Sequence, residues 1–136
     1  MNIPYRINAI RTSQFALFSD KFENGAPVDI QTEFSFAHNK ELNSIRCTCK
    51  INYLQKETLL LLLELQCFFG IAPDGVTQLK KEKKVSVDFL RYIGTIVTGT
   101  ARGVIHTRTE GTILNGFVLP PLNLVEAIKN DMLLDI

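Results

Sequence analysis

Residues 44–71, SIRCTCKINYLQKETLLLLLELQCFFGI, decide the fold of this chain. In the first half, the odd-numbered positions from Ile45 to Tyr53 are apolar and the even-numbered ones are polar, which is the period of two of a half-buried strand. Residues 55–57 form a polar break, and the odd-numbered positions from Leu59 to Ile71 are again apolar. The pattern predicts a β-hairpin of two long strands that share one apolar face.

The leucine run at residues 59–63 also fits a helix. Glu64 and Gln66, however, are separated by two positions rather than by three or four, and the first strand ends only a short turn earlier, so we favour the hairpin. The opposite face of this second arm begins with Leu60 and Leu62 before it turns polar. One face of the sheet is therefore expected to meet a core, and the other to be partly covered.

Length and composition limit the class of protein. The chain has 136 residues, of which 46% are hydrophobic, and this is typical of one globular domain, 1–136. A net charge of +1 gives no electrostatic reason to expect nucleic acid or an anionic membrane. No apolar run is long enough for a membrane span, and residues 1–10 carry no secretory signal pattern. Three cysteines, with Cys47 and Cys49 poorly placed for a mutual disulfide, predict free thiols in a reducing compartment, the cytoplasm.

Two further strands are predicted before the hairpin. In residues 3–18 the apolar phase slips between Ile7 and Ile10, which indicates one strand with a bulge or bend. Residues 19–27, SDKFENGAP, are rich in turn formers and predict a connecting loop. The next strand alternates, with polar residues on its other face, and the residues of its first face are Val28, Ile30, Thr32, Phe34 and Phe36.

After the hairpin, Pro73-Asp74-Gly75 predicts a turn, and the lysines of residues 80–84 are expected in a solvated loop. From residue 87 the apolar period becomes helical, with Ser86 as a plausible N-cap. This helix contains three glycines, each of which costs about 1 kcal/mol relative to alanine. Close approach of another backbone would explain them, and a kinked or interrupted helix is the alternative. The glycines are Gly94, Gly99 and Gly103.

A last helix is predicted to begin at Asn123, with Glu126 as its capping partner and an apolar stripe that continues to Leu133. The order of elements indicates an α+β class, with a four-stranded antiparallel sheet followed by two helices packed on one face. Two helices cover only one face of the sheet. The remaining strand-face hydrophobes imply oligomerisation or recognition of apolar partners.

The sequence contains no constellation that predicts catalysis. His38 and His106 have no Cys or second His at metal-binding spacing, and Cys47-x-Cys49 is not the pair that zinc or redox sites use. Residues 99–103, GTARG, resemble a phosphate loop but lie inside the predicted helix without a preceding strand. We therefore predict that the protein is not an enzyme and that it holds no metal and no cofactor.

Three stretches carry a family resemblance: FFGI at residues 68–71 ends the hairpin, Ala101-Arg102 follows in the next helix, and GFVLPPLNL occupies residues 116–124. In this order, along nearly the whole chain, they resemble the SecB family of export chaperones. FFGI is similar to the Gly-Ile-Phe of that family, and GFVLPPLNL resembles its Pro-x-Asn-Phe entry into the second helix. The usual Cys-Pro-Asn is absent, because YIGTIVT stands at residues 92–98.

The resemblance implies a single SecB-like domain and a non-enzymatic, ATP-independent holdase for protein export. It implies a homotetramer built as a dimer of dimers, in which the helix glycines fit the contact between neighbouring subunits. The partners that it implies are unfolded or precursor polypeptides and the translocation ATPase SecA, although the acidic positions for SecA fall on Gln14 and Phe18 here. The peptide-binding positions that the resemblance implies are Val28, Ile30, Thr32, Leu122, Leu124 and Ile128, to which the strand pattern adds Phe34 and Phe36.

Two interpretations stay open. The first is a divergent SecB-like chaperone, which serves general export or a toxin–antitoxin system. The second is a structural oligomer or small-ligand-binding domain on the same fold, in which subunit contacts consume the apolar surface. The two differ in whether the assembled protein still exposes a continuous apolar groove.

Overall fold

The fold of residues 3–136 is an antiparallel sheet covered on one face by a long helix, as described by a computed structural model. The strands of the main sheet are β1 (Tyr5–Leu17), β2 (Asp29–His38), β3 (Ser44–Gln55) and β4 (Thr58–Ile71). The elements that follow are α1 (Pro73–Glu82), β5 (Lys84–Val85), α2 (Val87–Arg108), α3 (Leu124–Ala127) and β6 (Met132–Leu133). This architecture confirms the α+β class and the four-stranded antiparallel sheet.

The β3–β4 hairpin forms the centre of the sheet, whose strand order is β1-β4-β3-β2. Its turn consists of Lys56 and Glu57, which both have positive φ (47° and 68°), as the tight turns of twisted hairpins require. Cys47 pairs with Cys67 and Ile51 with Leu63, so the two alternating apolar faces coincide as far as Tyr53 and Leu61. The register then shifts and Leu59 pairs with Leu54, so the shared face predicted to begin at Leu59 begins at Leu61. The hairpin interpretation of the leucine run is confirmed.

Strand β1 contains two irregularities. Its pairing with β4 shifts register between Ile7 and Ala9, where the sequence predicted a bulge or bend, and again between Thr12 and Gln14. The opposite edge strand, β2, pairs with β3 without any register shift from Asp29 to His38. The sheet therefore has one bulged edge and one regular edge.

Helix α2 lies over the apolar face of the hairpin. The side chain of Ser86 accepts a hydrogen bond from the backbone N–H of Phe89 at 3.2 Å, so Ser86 is the N-cap that the sequence predicted. The helix runs without interruption from Val87 to Arg108 despite its three glycines. Its buried side includes Leu90, Ile93 and Val97, which belong to one core with the odd-numbered residues of β3 and β4.

The turn predicted at Pro73-Asp74-Gly75 is wrong, because these residues begin helix α1. Proline is favourable at the first position of a helix, where its missing N–H has no intrahelical partner in any case. Of the lysines that were expected in a loop, Lys80 and Lys81 lie in the last turn of this helix, Lys83 ends it with a left-handed φ of 60°, and Lys84 begins β5. A short helix that begins at Pro73 and ends in a solvated, lysine-rich turn therefore accounts for both sequence patterns.

The last helix is also shorter than predicted. Helix α3 is a single turn, Leu124–Ala127, and Asn123 makes no side-chain capping bond. The chain then extends, and β6 pairs with β5 through Met132 and Leu133. These pairings lie about fifty residues apart along the chain, and such long-range contacts override the local helical pattern.

Candidate functional site

The apolar face of β2 lies at the regular edge of the sheet, on the same side as α2. Its predicted site residues are the cross-strand partners of core residues: Ile30 pairs with Tyr53, and Phe34 with Cys49. They are only half-buried and pack against the core from its rim. The half-buried members of the predicted set are Val28, Ile30, Thr32, Phe34, Phe36, Leu122 and Leu124.

The segment of residues 117–128, which we call the strap, follows α2 and packs against its flank. Ile128 is only 5% exposed, so it belongs to the core rather than to an open surface. A Cβ atom added to Gly94 would lie 2.8 Å from Cδ1 of Ile128, 3.5 Å from Cδ1 of Leu124 and 4.0 Å from Cε2 of Phe34. The structure thus brings both predicted groups of site residues together over Gly94.

The close approach expected at Gly94 therefore occurs within one chain, against the strap. Gly99 and Gly103 differ, because both are exposed and a Cβ atom there would meet nothing within 4 Å. Of the three glycines, these two have open space around them. Their place at an oligomer interface stays a prediction.

Two arginines on one flank of α2 hold the strap through its backbone. Arg91 donates to the carbonyl oxygens of Ile128 (Nε, 2.8 Å) and Val125 (Nη2, 3.3 Å). Arg102, three helical turns further on, donates to those of Leu119 (Nε, 2.6 Å) and Pro120 (Nη2, 3.1 Å). Such charge-assisted bonds are among the stronger ones in proteins, so they give a segment with little regular structure a fixed path.

Sequence reasoning missed the role of Arg91 and noted Arg102 only as part of the Ala-Arg pair. The available signal was their spacing of eleven residues, which places both side chains on the same side of a helix. That spacing indicates a shared face. It does not identify the carbonyl oxygens, because the strap reaches them only through tertiary packing.

A groove of about 500 Å³ lies between α2 and the strap. The hydroxyls of Thr95 and Thr98 donate to helix carbonyls at 3.0 and 2.8 Å, and the carbonyl oxygens of Leu119 and Pro120 accept from Arg102. These four polar groups are bonded within the chain, and most of the remaining lining is apolar. The apolar residues that line it are Val118, Leu119, Pro120, Pro121, Leu122 and Leu124.

The loop between β1 and β2 is fixed to the end of β3 beside the strap. The side-chain amide of Gln55, which is buried, donates to the carbonyl oxygens of Glu23 (2.9 Å) and Ala26 (3.0 Å) and accepts from the N–H of Glu23 (2.8 Å). The rings of Phe22 and Phe117 lie 5.5 Å apart. The loop is therefore held against the end of β3, and its Phe22 contacts the strap through Phe117.

The opposite flank of α2 faces the bulged strand β1 and is partly open. Ile7, Ile10 and Tyr92 are 45%, 54% and 54% exposed, although Ile7 and Ile10 lie on the core side of the sheet. The hydroxyls of Tyr5 and Tyr92 are 3.0 Å apart and hydrogen-bonded. This flank, which also carries Gly99 and Gly103, is a second apolar surface of the chain.

The buried titratable groups serve the core. Burial raises the pKa of the Cys49 and Cys67 thiols to about 12 and about 11, and it raises that of Cys47 as well. A thiol with so high a pKa forms little thiolate at neutral pH and is a poor nucleophile. Burial likewise raises the pKa of Tyr53 to about 12, and its hydroxyl donates to the carbonyl of Phe117 at 2.9 Å.

Residues 3–136 contain no group of three or more metal-ligating side chains, and no helix in that part of the chain is long and apolar enough to cross a membrane.

No protein-family model and no curated protein matches this chain. Among solved structures, the fold is similar to that of the SecB-like chaperone Rv1957 of Mycobacterium tuberculosis, in complex with a ChAD peptide from the HigA1 antitoxin. The likeness has a TM-score of 0.52 and covers 87% of this chain and 90% of that chain, at 14% sequence identity. Identity this low shows the fold alone, and the chain has a SecB-like α+β fold.

Proposed function

We propose that this protein is a SecB-like, ATP-independent holdase that binds unfolded or precursor polypeptides. The observation that carries the proposal is the apolar region formed by β2 and the strap, in which apolar side chains pack on the core and remain partly exposed. An extended client would remove these side chains from water, at about 25 cal/mol per Å² of apolar area, without sequence-specific hydrogen bonds. The fold likeness to a SecB-like chaperone supports the same function.

Within this region, Ile128 and the other residues have different roles. Because Ile128, the last residue of the strap, is buried against Gly94 of α2, we infer that it positions the groove wall. Client contact is assigned to half-buried residues such as Ile30, Phe34 and Leu124. Val118, which is 57% exposed at the groove, is added to them.

The proposal is tested by the aggregation of an unfolded client in the absence of nucleotide. The wild-type protein should delay aggregation, and the delay should persist at moderately high salt because hydrophobic contact is little screened. The paired change Ile30→Asp with Leu124→Asp should abolish holding. The matched control is Gln31→Asp with Val125→Asp, which adds the same charges at neighbouring exposed positions and should hold clients like the wild type.

Circular dichroism and sedimentation must show that the variants keep their fold and assembly. Since Ile30 and Leu124 also pack against the core, a milder pair, Ile30→Thr with Leu124→Thr, serves if the aspartates unfold the chain. Full holding by a folded variant would contradict the groove assignment. A wild-type protein that holds no client would favour the structural-oligomer interpretation.

A second candidate is a chaperone that serves a toxin–antitoxin system rather than general export. Two observations favour it: the fold is similar to that of a protein solved with an antitoxin peptide, and the acidic positions implied for SecA are Gln14 and Phe18 here. Binding of purified SecA would favour export. Selective binding of one antitoxin tail over unrelated unfolded chains would favour the second candidate.

We also infer a homo-oligomer, as a tetramer built from two dimers. The support is the second apolar surface, where Ile7, Ile10 and Tyr92 are exposed beside two glycines with open space around them. Copies of α2 could pack closely there, because a residue without Cβ lets two backbones approach. Sedimentation equilibrium distinguishes a tetramer or dimer from the 15.3 kDa monomer.

A further inference from the structure

The face of the sheet that points away from α2 carries three arginines around one aromatic ring. Arg6, Arg11 and Arg46 pair across the strands with Gly70, Gln66 and Phe68, the even-numbered residues of β4. These residues point away from the core, and all three arginines are exposed. We call Arg6, Arg11, Arg46 and Phe68 the arginine patch.

Phe68 lies at the centre of the patch. The guanidinium carbon of Arg11 lies 5.5 Å from the centroid of the Phe68 ring, so the cation is held over the ring face. Arg46 is the direct cross-strand neighbour of Phe68 on the other side. A guanidinium that stacks on a ring keeps its N–H groups free at its edge, where they can bind a carboxylate with two parallel hydrogen bonds.

The charges of the patch are not neutralised within the chain. Across residues 3–136, no carboxylate lies within 4.0 Å of any of the three arginines, whereas other cations of the chain do form ion pairs. On the same face, the carboxylate of Glu64 forms an ion pair with Lys50 (3.7 Å) and accepts a hydrogen bond from the Ser13 hydroxyl (2.6 Å). Glu64 lies two residues from Gln66, the partner of Arg11, so this carboxylate is about 7 Å further along the strands from Arg11 and is already paired.

We propose that the arginine patch binds an acidic segment of a partner polypeptide. Arg11 and Arg46 lie on strands two places apart in the sheet, and their partners in β4, Gln66 and Phe68, are two residues apart, so the two arginine backbones are separated by about 12 Å. Successive side chains of an extended segment point to opposite sides, so the first, third and fifth residues face the patch together and span about 13 Å. Acidic residues at the first and fifth positions can therefore reach both arginines while an apolar residue at the third contacts Phe68.

Net charge favours a peptide over a nucleic acid as the occupant. A chain with a net charge of +1 has no wide positive field, and a phosphate polymer on this face would also meet Asp29, Glu33 and Glu64. A short acidic segment needs only the local cluster. The patch lies on the opposite side of the sheet from the apolar region, so a partner here would leave that region free.

Fluorescence anisotropy with a labelled peptide that alternates glutamate and alanine around a central phenylalanine tests the proposal. The wild-type protein should bind it, and binding should weaken as salt is raised. The change Arg11→Gln with Arg46→Gln should weaken binding at least about tenfold, since each lost charge-assisted contact is worth more than a neutral one. The matched control, Lys80→Gln with Lys81→Gln, removes the same charge from exposed positions on α1 and should change binding by less than about twofold.

Two further probes keep the test decisive. A peptide with lysine in place of glutamate should not bind the wild-type protein. This probe does not depend on the folding of any variant. A single-stranded oligodeoxythymidylate should bind more weakly than the acidic peptide. Equal loss in both double variants, binding of the lysine peptide, or tighter binding of the oligonucleotide would each overturn the proposal. Holding of unfolded clients by the arginine variant should be unchanged, which separates this site from the proposed function.

Discussion

Replacing Ile128 with alanine tests the packing that joins the strap to α2. The change removes three carbon atoms from a side chain that is 5% exposed, and at about 0.8 kcal/mol per carbon the lost burial is about 2.4 kcal/mol. The cavity beside Gly94 adds to this cost, because a residue without Cβ cannot fill it. We therefore expect Ile128→Ala to lower the free energy of unfolding by about 3 kcal/mol.

The effect of Gly94→Ala on stability should depend on which side chain is present at residue 128. Alanine gains about 1 kcal/mol of helix propensity over glycine. With Ile128 present, however, the new Cβ would lie 2.8 Å from its Cδ1 and would displace it, at a cost of about 1–3 kcal/mol. Gly94→Ala should thus be neutral or destabilising in the wild type, and stabilising by about 1 kcal/mol in the Ile128→Ala background.

Urea unfolding of the four proteins at one fixed concentration measures this coupling, since oligomerisation makes stability depend on concentration. Val125→Ala is the control on the same strap, because Val125 is 63% exposed and its truncation should change stability by less than about 0.5 kcal/mol. An equal effect of Gly94→Ala in both backgrounds would show that Ile128 does not pack against residue 94. A loss of stability in Ile128→Ala no larger than in the Val125→Ala control would show that the strap is not held by this side chain.

Three other predictions follow from the site. Because the pKa values of Cys49 and Cys67 are raised, the folded state keeps protons that the unfolded chain releases above about pH 9. Stability should therefore be full below that pH and fall as the pH rises toward 11 and 12, and Cys49→Ala should flatten this fall in pH-dependent denaturation. Thiol titration should find three free thiols only after unfolding. The pKa of Asp131 is lowered mainly by the hydrogen bond from the backbone N–H of Val87 at the start of α2, and also by Lys84. The stabilising effect of this carboxylate should therefore be present above pH 3.8 and be lost as the pH falls below it, and Asp131→Asn should remove that pH dependence in acid denaturation. Gly99→Leu or Gly103→Leu should leave the fold of a single chain intact, because the space beside each glycine is open. The same changes should shift sedimentation toward smaller species, and an unchanged oligomer would place the subunit interface elsewhere.

Local patterns were sufficient for most of the main sheet. Strict alternation around a two-residue turn specifies which side chains share a face, because the side-chain period of a strand is two wherever the strand lies. The slip between Ile7 and Ile10 likewise predicted a bulge, and Ser86 predicted a helix start through a bond to a residue three positions away. Each of these signals is contained in a few neighbouring residues.

The end of the chain shows what local patterns omit. Its apolar stripe fits a helix, yet the structure has one turn followed by an extended segment that pairs with β5. The carboxylate of Asp131 accepts from the N–H of Val87 at 2.7 Å, and the N–H of Leu134 donates to the carbonyl of Lys83 at 3.0 Å. Bonds to groups so distant in sequence leave no trace in a helical period, so the alternative conformation could not be predicted.

The candidate site divides in the same way. The alternation of β2 by itself determined that Ile30, Phe34 and their neighbours share one face. Only the tertiary structure decided that this face lies at the rim of the core and that Ile128 closes against Gly94 instead of lining an open surface. The physical reason is that a periodic pattern specifies the direction of a side chain, whereas the burial of that side chain depends on which distant segment covers it. Here that segment is the strap, whose backbone carbonyls accept hydrogen bonds from Arg91 and Arg102.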